Sequence, residues 1–476
     1  MSDSKIAIPN AKPKSKLFGT RHVQIGLMFV SIIIFYAQRT SLSVAIIAMT
    51  EETPPDPSIP TYPKWDNTDI ILSSFFWGYI VPQVGAGQLG EYFGPKWFLF
   101  TTMTIGSVFN ILVPTMAKLM GPTGVIICRV VQGLNQGFLY PSTNNLISKW
   151  TPLYERSRVA SFVFGGSNIG IVLSMIFTGA LSGSTWGWPS AFYIYGALGI
   201  VWACIFAFFV ANSPALHRSI SDEEREYIES SNSCNTSENK KVPTPWRKIA
   251  TSLPIWAVLI TSCGGSWGGF TLLTEIPSYM SSIMGFDINS NSQLSALPYI
   301  AMFLVAMASA PLADKLISNK IFTIGTTRKI FNSLGTLIPA IALFSLGLID
   351  SSQKDLGTAL LVLAVGACGF VYSGYMVNLV DLAPNHAGTL LGITNGTSTI
   401  FSILGPLSVQ FLGSDKKDPI LWRKVFWLAA GIYVGCGLFY AIFCSGELQE
   451  WNGEEKEEGR KESNKCESEN KEKSPV

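Results

Sequence analysis

Charge is scarce in this sequence and histidine almost absent: only 14% of its 476 residues are Asp, Glu, Lys or Arg, and His22, His217 and His386 are its three histidines. So little charge cannot dress the surface of a soluble protein of this length, which excludes an ordinary soluble enzyme, while 48% hydrophobic residues suit lipid-facing helices. The eight cysteines lack the paired spacing of a metal or redox site. Cys128, Cys204, Cys263, Cys368, Cys436 and Cys444 sit in apolar blocks and read as small fillers. No nucleophile triad, phosphate-cradling loop or metal-ligand cluster is visible, so no enzymatic reaction, metal or cofactor is expected. The net charge of +2 conceals segregation into termini and short loops, with no basic face for nucleic acid.

What is plentiful is apolar sequence in blocks of helix-spanning length. About twelve can be counted, at 22–49, 68–89, 97–117, 122–148, 159–182, 189–212, 253–280, 294–316, 329–350, 356–381, 388–413 and 422–444. They predict an all-α membrane protein of twelve transmembrane helices in two pseudo-symmetric six-helix bundles. Residues 1–21 form an N-terminal segment, 22–212 the first bundle, 213–252 a central loop, 253–445 the second bundle and 446–476 a mixed-charge tail expected to be disordered. The first block is too long for a signal peptide and lacks a small-residue cleavage site, so it is a retained span. Within the central loop, "SISDEEREYI" offers Ser221 as N-cap and Glu224 three positions on, a capping-box pattern for a short surface helix.

Lys and Arg gather before the first block and in the even-numbered loops, which places both termini in the cytosol. That distribution leaves Arg39 and Arg129 as the basic residues inside spans. A central arginine costs roughly 2.5–3.5 kcal/mol on insertion scales, so such residues face a bundle interior or a watery cavity. On the first helix Tyr36, Arg39 and Ser43 share a face; on the fourth, Arg129, Gln132, Gln136, Tyr140 and Thr143 or Asn144 recur at spacings of three and four. Gly133 and Gly137 flank that stripe as a small-residue packing edge. Two guanidiniums from different helices can clamp a phosphate or carboxylate through bidentate hydrogen bonds. Structural pairing with an acid is the rival reading, and the acids noted within the spans are Glu275 and the helix-end Asp381. Trp267 and Phe270, beside the glycines of "CGGSWGGF", are candidates for the cavity border, as is Asn378; Gln132, Glu275 and Asp381 are candidates for coupling or gating.

The two halves repeat one another. "GQLGEYFGPKW" follows the second helix and "APLADKLISNKIFTIGTTRK" the eighth, each a small residue, an acid and then basic residues. Gly87 permits close helix approach, Glu91 supplies a loop charge and Gly94-Pro95 the tight turn, with Asp314 as the acid of the second half. This pair resembles the loop signature of the major facilitator superfamily. A closer resemblance runs from about His22 to Cys444 through "QRTSLSVAIIAM", "SSFFWGYIVPQ", "RVVQGLNQGFLYPS", "TLLTEIPSYM" and "NLVDLAPNHAGTLLGITNG". These segments are similar to the anion:cation symporter family, which contains sialin, the vesicular glutamate transporters and type I sodium–phosphate cotransporters.

The resemblance implies a twelve-helix transporter of phosphate or organic anions in which Arg39 and Arg129 match the family's cavity arginines. The departures are informative too. Gln132 and Gln136 stand where proton-coupled members carry acids, Asn144 stands where they carry histidine, and Ser262, Ser266 and Gly265 replace further polar groups on helix seven. The invertebrate inorganic-phosphate-cotransporter-like branch fits best, and glutamate or sialic acid is not the expected substrate. With so little that titrates in the pathway, sodium is the expected co-transported ion and the proton the alternative. The expected protein is a monomeric, multi-pass symporter of the plasma membrane that moves a small anion between its halves. A sialin-type proton-coupled transporter and a passive anion channel are the alternatives.

Overall fold

The computed structural model describes residues 19–453 apart from 53–55, 84–93, 153–154, 218, 234–243, 351–352 and 414. A lipid-embedded backbone must satisfy its own hydrogen bonds, and within the described residues this chain does so with helices alone. The first half holds α1 (Thr20–Met49), α2 (Thr68–Ile80), α3 (Pro95–Gln136), α4 (Leu139–Trp150), α5 (Arg156–Ser182) and α6 (Gly187–Phe209). Two short helices follow, α7 (Asp222–Ser233) and α8 (Trp246–Thr251). The second half comprises α9 (Leu253–Ser282), α10 (Ile288–Ser318), α11 (Ile324–Leu346), α12 (Lys354–Ala367), α13 (Tyr375–Leu382), α14 (Ala387–Leu412) and α15 (Pro419–Phe443). Eight stretches are, by length and composition, apolar enough to cross a membrane. With α2, α9 and α14, and with α3 doubling back on itself, the chain makes twelve crossings.

Local chemistry places the breaks. At Gly121 the backbone adopts φ 61° and ψ −142°, so α3 folds into two arms and its second arm carries Arg129. A Cβ at Gly124, just past the bend, would strike the Met116 carbonyl, which explains the glycine at this corner. Gly94 takes φ 84° immediately before Pro95 at the first helical position, as expected for that turn. Asp287, Thr323 and Asp418 cap α10, α11 and α15, their side-chain oxygens accepting from Ser290 N (3.2 Å), Thr326 N (3.2 Å) and Ile420 N (2.9 Å). Two expected single helices are interrupted. The fourth breaks between Gln136 and Leu139, and the tenth passes through a 3-10 turn, Cys368–Ser373, between α12 and α13.

The halves meet where α2 packs on α14, α5 on α10 and α1 on α9. At the end opposite the termini, Gly179 and Gly183 of α5 lie against Ser292 and Asn289 of α10. At the other end, α7 completes only half of the predicted capping box. The Glu224 amide donates to Ser221 Oγ (3.3 Å), but the Glu224 carboxylate accepts instead from the amides of Thr20 and Arg21 (3.0 Å each), capping α1. The Arg21 side chain, buried beside Tyr227, pairs with Glu155 at 3.2 Å. Of the tail expected to be disordered, residues 454–476 lie outside the described residues, whereas 446–453 are ordered: Glu450–Gly453 form a 3-10 turn and Trp451 is buried in the cluster of Ile249 and Leu382.

Candidate functional site

Arg39 and Arg129 are both buried, 6% and 4% exposed, and they meet at the middle of the first half. Arg129 Nη2 donates to the Arg39 carbonyl at 3.1 Å and Nη1 to Gln132 Oε1 at 3.2 Å. Gln132 in turn donates to Asn110 Oδ1 (3.2 Å), and Asn110 to the Phe192 carbonyl (2.9 Å), so α3 and α6 hold the arginine in place. Among the described residues neither guanidinium has an acidic partner, and Arg39 Nε, Arg39 Nη2 and Arg129 Nε have no hydrogen-bond partner although all three are shielded from solvent. Unmet buried donors of a charged group are costly unless something arrives to accept from them.

What surrounds Arg39 is aromatic. Its guanidinium carbon lies 4.6 Å from the ring centres of Phe75 and Phe270, 4.9 Å from Phe76, 5.3 Å from Tyr79 and 5.4 Å from Tyr36. Phe75 also lies 4.9 Å from Arg129. Ring faces stabilise a cation without neutralising it, so the cage keeps both charges available while excluding water. Phe270 belongs to α9, so the cage spans the two halves. Between the arginines and Thr40, Ser43, Phe76 and Thr274 remains a cavity of about 10 Å³, room for about one water and too little for phosphate. The chain is therefore seen with this site closed.

Other predicted site residues are distributed unevenly. Tyr36, whose ring lies by Arg39, joins Tyr140 hydroxyl to hydroxyl at 2.7 Å, and Gln136 Nε2 donates to the neighbouring Phe35 carbonyl at 3.2 Å, so Tyr140 and Gln136 attach to α1 beside the arginine. Asn144, beyond the break between α3 and α4, is exposed and does not share their face. Trp267 is buried in the core cluster that runs through both halves, its backbone against Gly405 of α14, and Phe270, one turn on, lies over Arg39. Asn378 lies at the terminus-bearing end, donating to the Ser445 carbonyl at 2.9 Å, and is no part of the site. Asp381 is paired within the second half, where Arg328 Nε holds its carboxylate at 2.7 Å. Arg328 is itself buried within α11, so Arg39 and Arg129 are not the only basic residues inside helices. Gly87 and Glu91 lie outside the described residues, and Asp314 is exposed on α10.

Two features escaped the sequence reading. One is the cage, whose Phe75, Phe76 and Tyr79 are separated by one and four positions on α2, a spacing that puts them on one side of a helix. The other is Asp69, an acid one residue inside α2 that the tally of intramembrane acids passed over. It is buried and joins Glu275 and Lys416 at the end opposite the termini.

A fold of two six-helix halves around a buried basic centre has known counterparts. The family model described as Major Facilitator Superfamily matches residues 28–406. The chain belongs to the major facilitator superfamily. Among curated members of this superfamily it is 37% identical to a Drosophila melanogaster protein named "Putative inorganic phosphate cotransporter", over 93% of this chain and 88% of that one. It is 38% identical to human "Vesicular glutamate transporter 2", over 82% of this chain and 67% of that one. Within the superfamily it is thus a member of the family that includes phosphate cotransporters and vesicular glutamate transporters, and it is a transporter and not an enzyme. The fold matches a solved D-xylose–proton symporter with a TM-score of 0.68 at 15% identity, covering 89% of this chain and 98% of that one. A bacterial homologue of the lysosomal transporter Spinster, solved facing inward, gives 0.63 at 15%, covering 90% of this chain and 97% of that one.

Proposed function

We propose that the chain is a secondary active symporter of inorganic phosphate or a small organic anion, with sodium as its co-ion. The observation that carries the reading is the pair of buried guanidiniums with, among the described residues, three unpartnered donors and no acid beside them. A tetrahedral oxyanion presents acceptors in several directions and matches such donors, while the aromatic cage raises the strength of each contact by keeping water out. The cavity is too small to hold that anion as it stands, so the halves must part to admit it, as alternating access around a midplane site requires. Coupling is physically necessary for accumulation, because importing one negative charge against an inside-negative potential costs about 2.3 kcal/mol per 100 mV. Sodium follows from Gln132 and Gln136, which do not titrate, and is served by amide and carbonyl oxygens.

The test is uptake of radiolabelled phosphate into proteoliposomes with sodium and proton gradients imposed separately. Saturable uptake above equilibrium, stimulated by an inward sodium gradient at fixed pH, is expected. Sodium-independent accumulation driven by protons would replace sodium with the proton-coupled alternative, and flux that never exceeds equilibrium would point to a channel.

In this reading both termini face the cytosol, in the plasma membrane, with the chain acting as a monomer. Cys234 and Cys466, outside the described residues, report the orientation. An impermeant thiol reagent applied to intact cells should leave both unmodified until the membrane is permeabilised; modification beforehand reverses the topology.

A further inference from the structure

At the end opposite the termini, three charged side chains from distant parts of the chain meet under cover. Asp69 stands at the start of α2 in the first half and Glu275 near the end of α9 in the second, 1% and 2% exposed. Lys416, in the short connection between α14 and α15, reaches both: its Nζ donates to Glu275 Oε2 at 3.0 Å and forms an ion pair with the Asp69 carboxylate. The Trp422 indole donates to the Lys416 carbonyl at 2.8 Å and ties this connection to the second half. Burial alone would lower the Lys416 ammonium, but the two carboxylates outweigh it and hold the group above its ordinary range, so it stays charged.

The charge count does not close. Two carboxylates face one ammonium. Among the described residues Glu275 Oε1 is buried with no donor, although the Asp69 carboxylate bears on the same group. Two carboxylates at one dry site with a single cation favour keeping one proton between them. We propose that the site formed by Glu275, Lys416 and Asp69 takes up one proton from the solution at this end, and that binding it permits the two halves to close there.

The arrangement makes the proton a condition of closure and not a fuel. When the halves part at this end, Asp69 leaves with the first half while Lys416 stays with Glu275. Each group is then balanced by its partner or by water, and the proton is lost. While the end is closed both carboxylates are buried, and in this reading the proton leaves when the same end reopens. Closure at this end therefore takes up one proton and reopening returns it to the same medium, with none carried across. Acid at this end favours the state seen here. The inference rests on the alternating-access reading but not on which anion or co-ion is carried.

Spin labels at Pro57→Cys and Gln353→Cys, exposed positions at this end of the first and second halves, measure the opening directly in the full chain in lipid nanodiscs, with native cysteines replaced. Between about pH 5.5 and pH 8.5 the closed-to-open ratio should fall by about tenfold per pH unit once the proton is released, the slope for one linked proton. Glu275→Gln and Asp69→Asn each supply a permanently neutral partner, and either variant should stay closed with that pH response lost. Lys416→Met leaves both acids to be neutralised by protons, so its closure should need lower pH and follow a steeper slope, up to about a hundredfold per pH unit. A wild-type ratio that ignores pH, or a wild-type slope retained in Glu275→Gln and Asp69→Asn, overturns the proposal. Anion uptake by the wild type, measured in parallel, judges the transport reading separately, because the label distances need no substrate.

Discussion

Replacing Arg129 by alanine is expected to abolish anion uptake while the protein still inserts and folds, and Arg39→Ala is expected to do the same. Among the described residues Arg39 offers two donors with no partner and Arg129 one, so an anion seated between them gains up to three charge-assisted bonds. Such bonds are worth about 1.5–3 kcal/mol each, so losing one weakens binding by on the order of tenfold to a hundredfold and losing two by a hundredfold or more. Lysine should rescue poorly at position 129, because an ammonium keeps the charge but cannot reach Gln132 and the Arg39 carbonyl in parallel while offering Nε to a substrate. At position 39 lysine also loses the flat face that the cage rings receive. The measurement is initial uptake rate into proteoliposomes at matched protein incorporation. Normal transport by Arg129→Ala removes the clamp, and loss of monodisperse protein in both alanine variants assigns the arginines a folding role instead.

The arginines were legible because a guanidinium in an apolar block is costly, and cost is visible in a sequence without any fold. Aromatics carry no such mark. Phe75, Phe76 and Tyr79 read as lipid-facing or packing residues until α2 and α9 are brought together around Arg39. Trp267 was the more conspicuous residue of α9, yet the glycine at position 405 draws α14 onto the Trp267 backbone and leaves Phe270 at the site. Boundary placement decided another case. Starting a span at Lys329 left Arg328 in a loop, whereas α11 begins at Ile324 and buries Arg328 against Asp381. An acid that seemed free for gating is thus tied by a structural pair. Lys416 was hidden by the opposite error, since a loop lysine counts as a solvated charge until a fold turns it inward between Asp69 and Glu275.

Glycine spacing, in contrast, was readable but ambiguous about direction, and it leads to the second large effect. In α9 the pairs Gly264/Gly268 and Gly265/Gly269 have the same spacing, but only the first meets α15, at Cys436 and Tyr433, while Gly269 faces open space. Along α2 and α3 the contact is closer still. A Cβ at Gly133 would overlap the Phe75 carbonyl, and one at Gly78 would overlap the Val130 carbonyl, so the two backbones touch through paired glycines. The obstacle is main chain and cannot swing aside as a side chain does. Gly133→Ala should therefore destabilise the first half by about 3 kcal/mol or more, the upper range for overpacking. It should also reduce uptake in whatever protein survives, because Phe75 is the ring shared by both arginines. Gly435→Ala is the control: nothing lies within 4 Å of a Cβ there, and alanine's better helix propensity, worth about 0.8–1.0 kcal/mol, should leave stability equal or improved. Thermal unfolding of the detergent-solubilised variants compares the two directly. An unshifted midpoint for Gly133→Ala would mean that α2 and α3 can part without loss, and that the cage does not depend on their crossing.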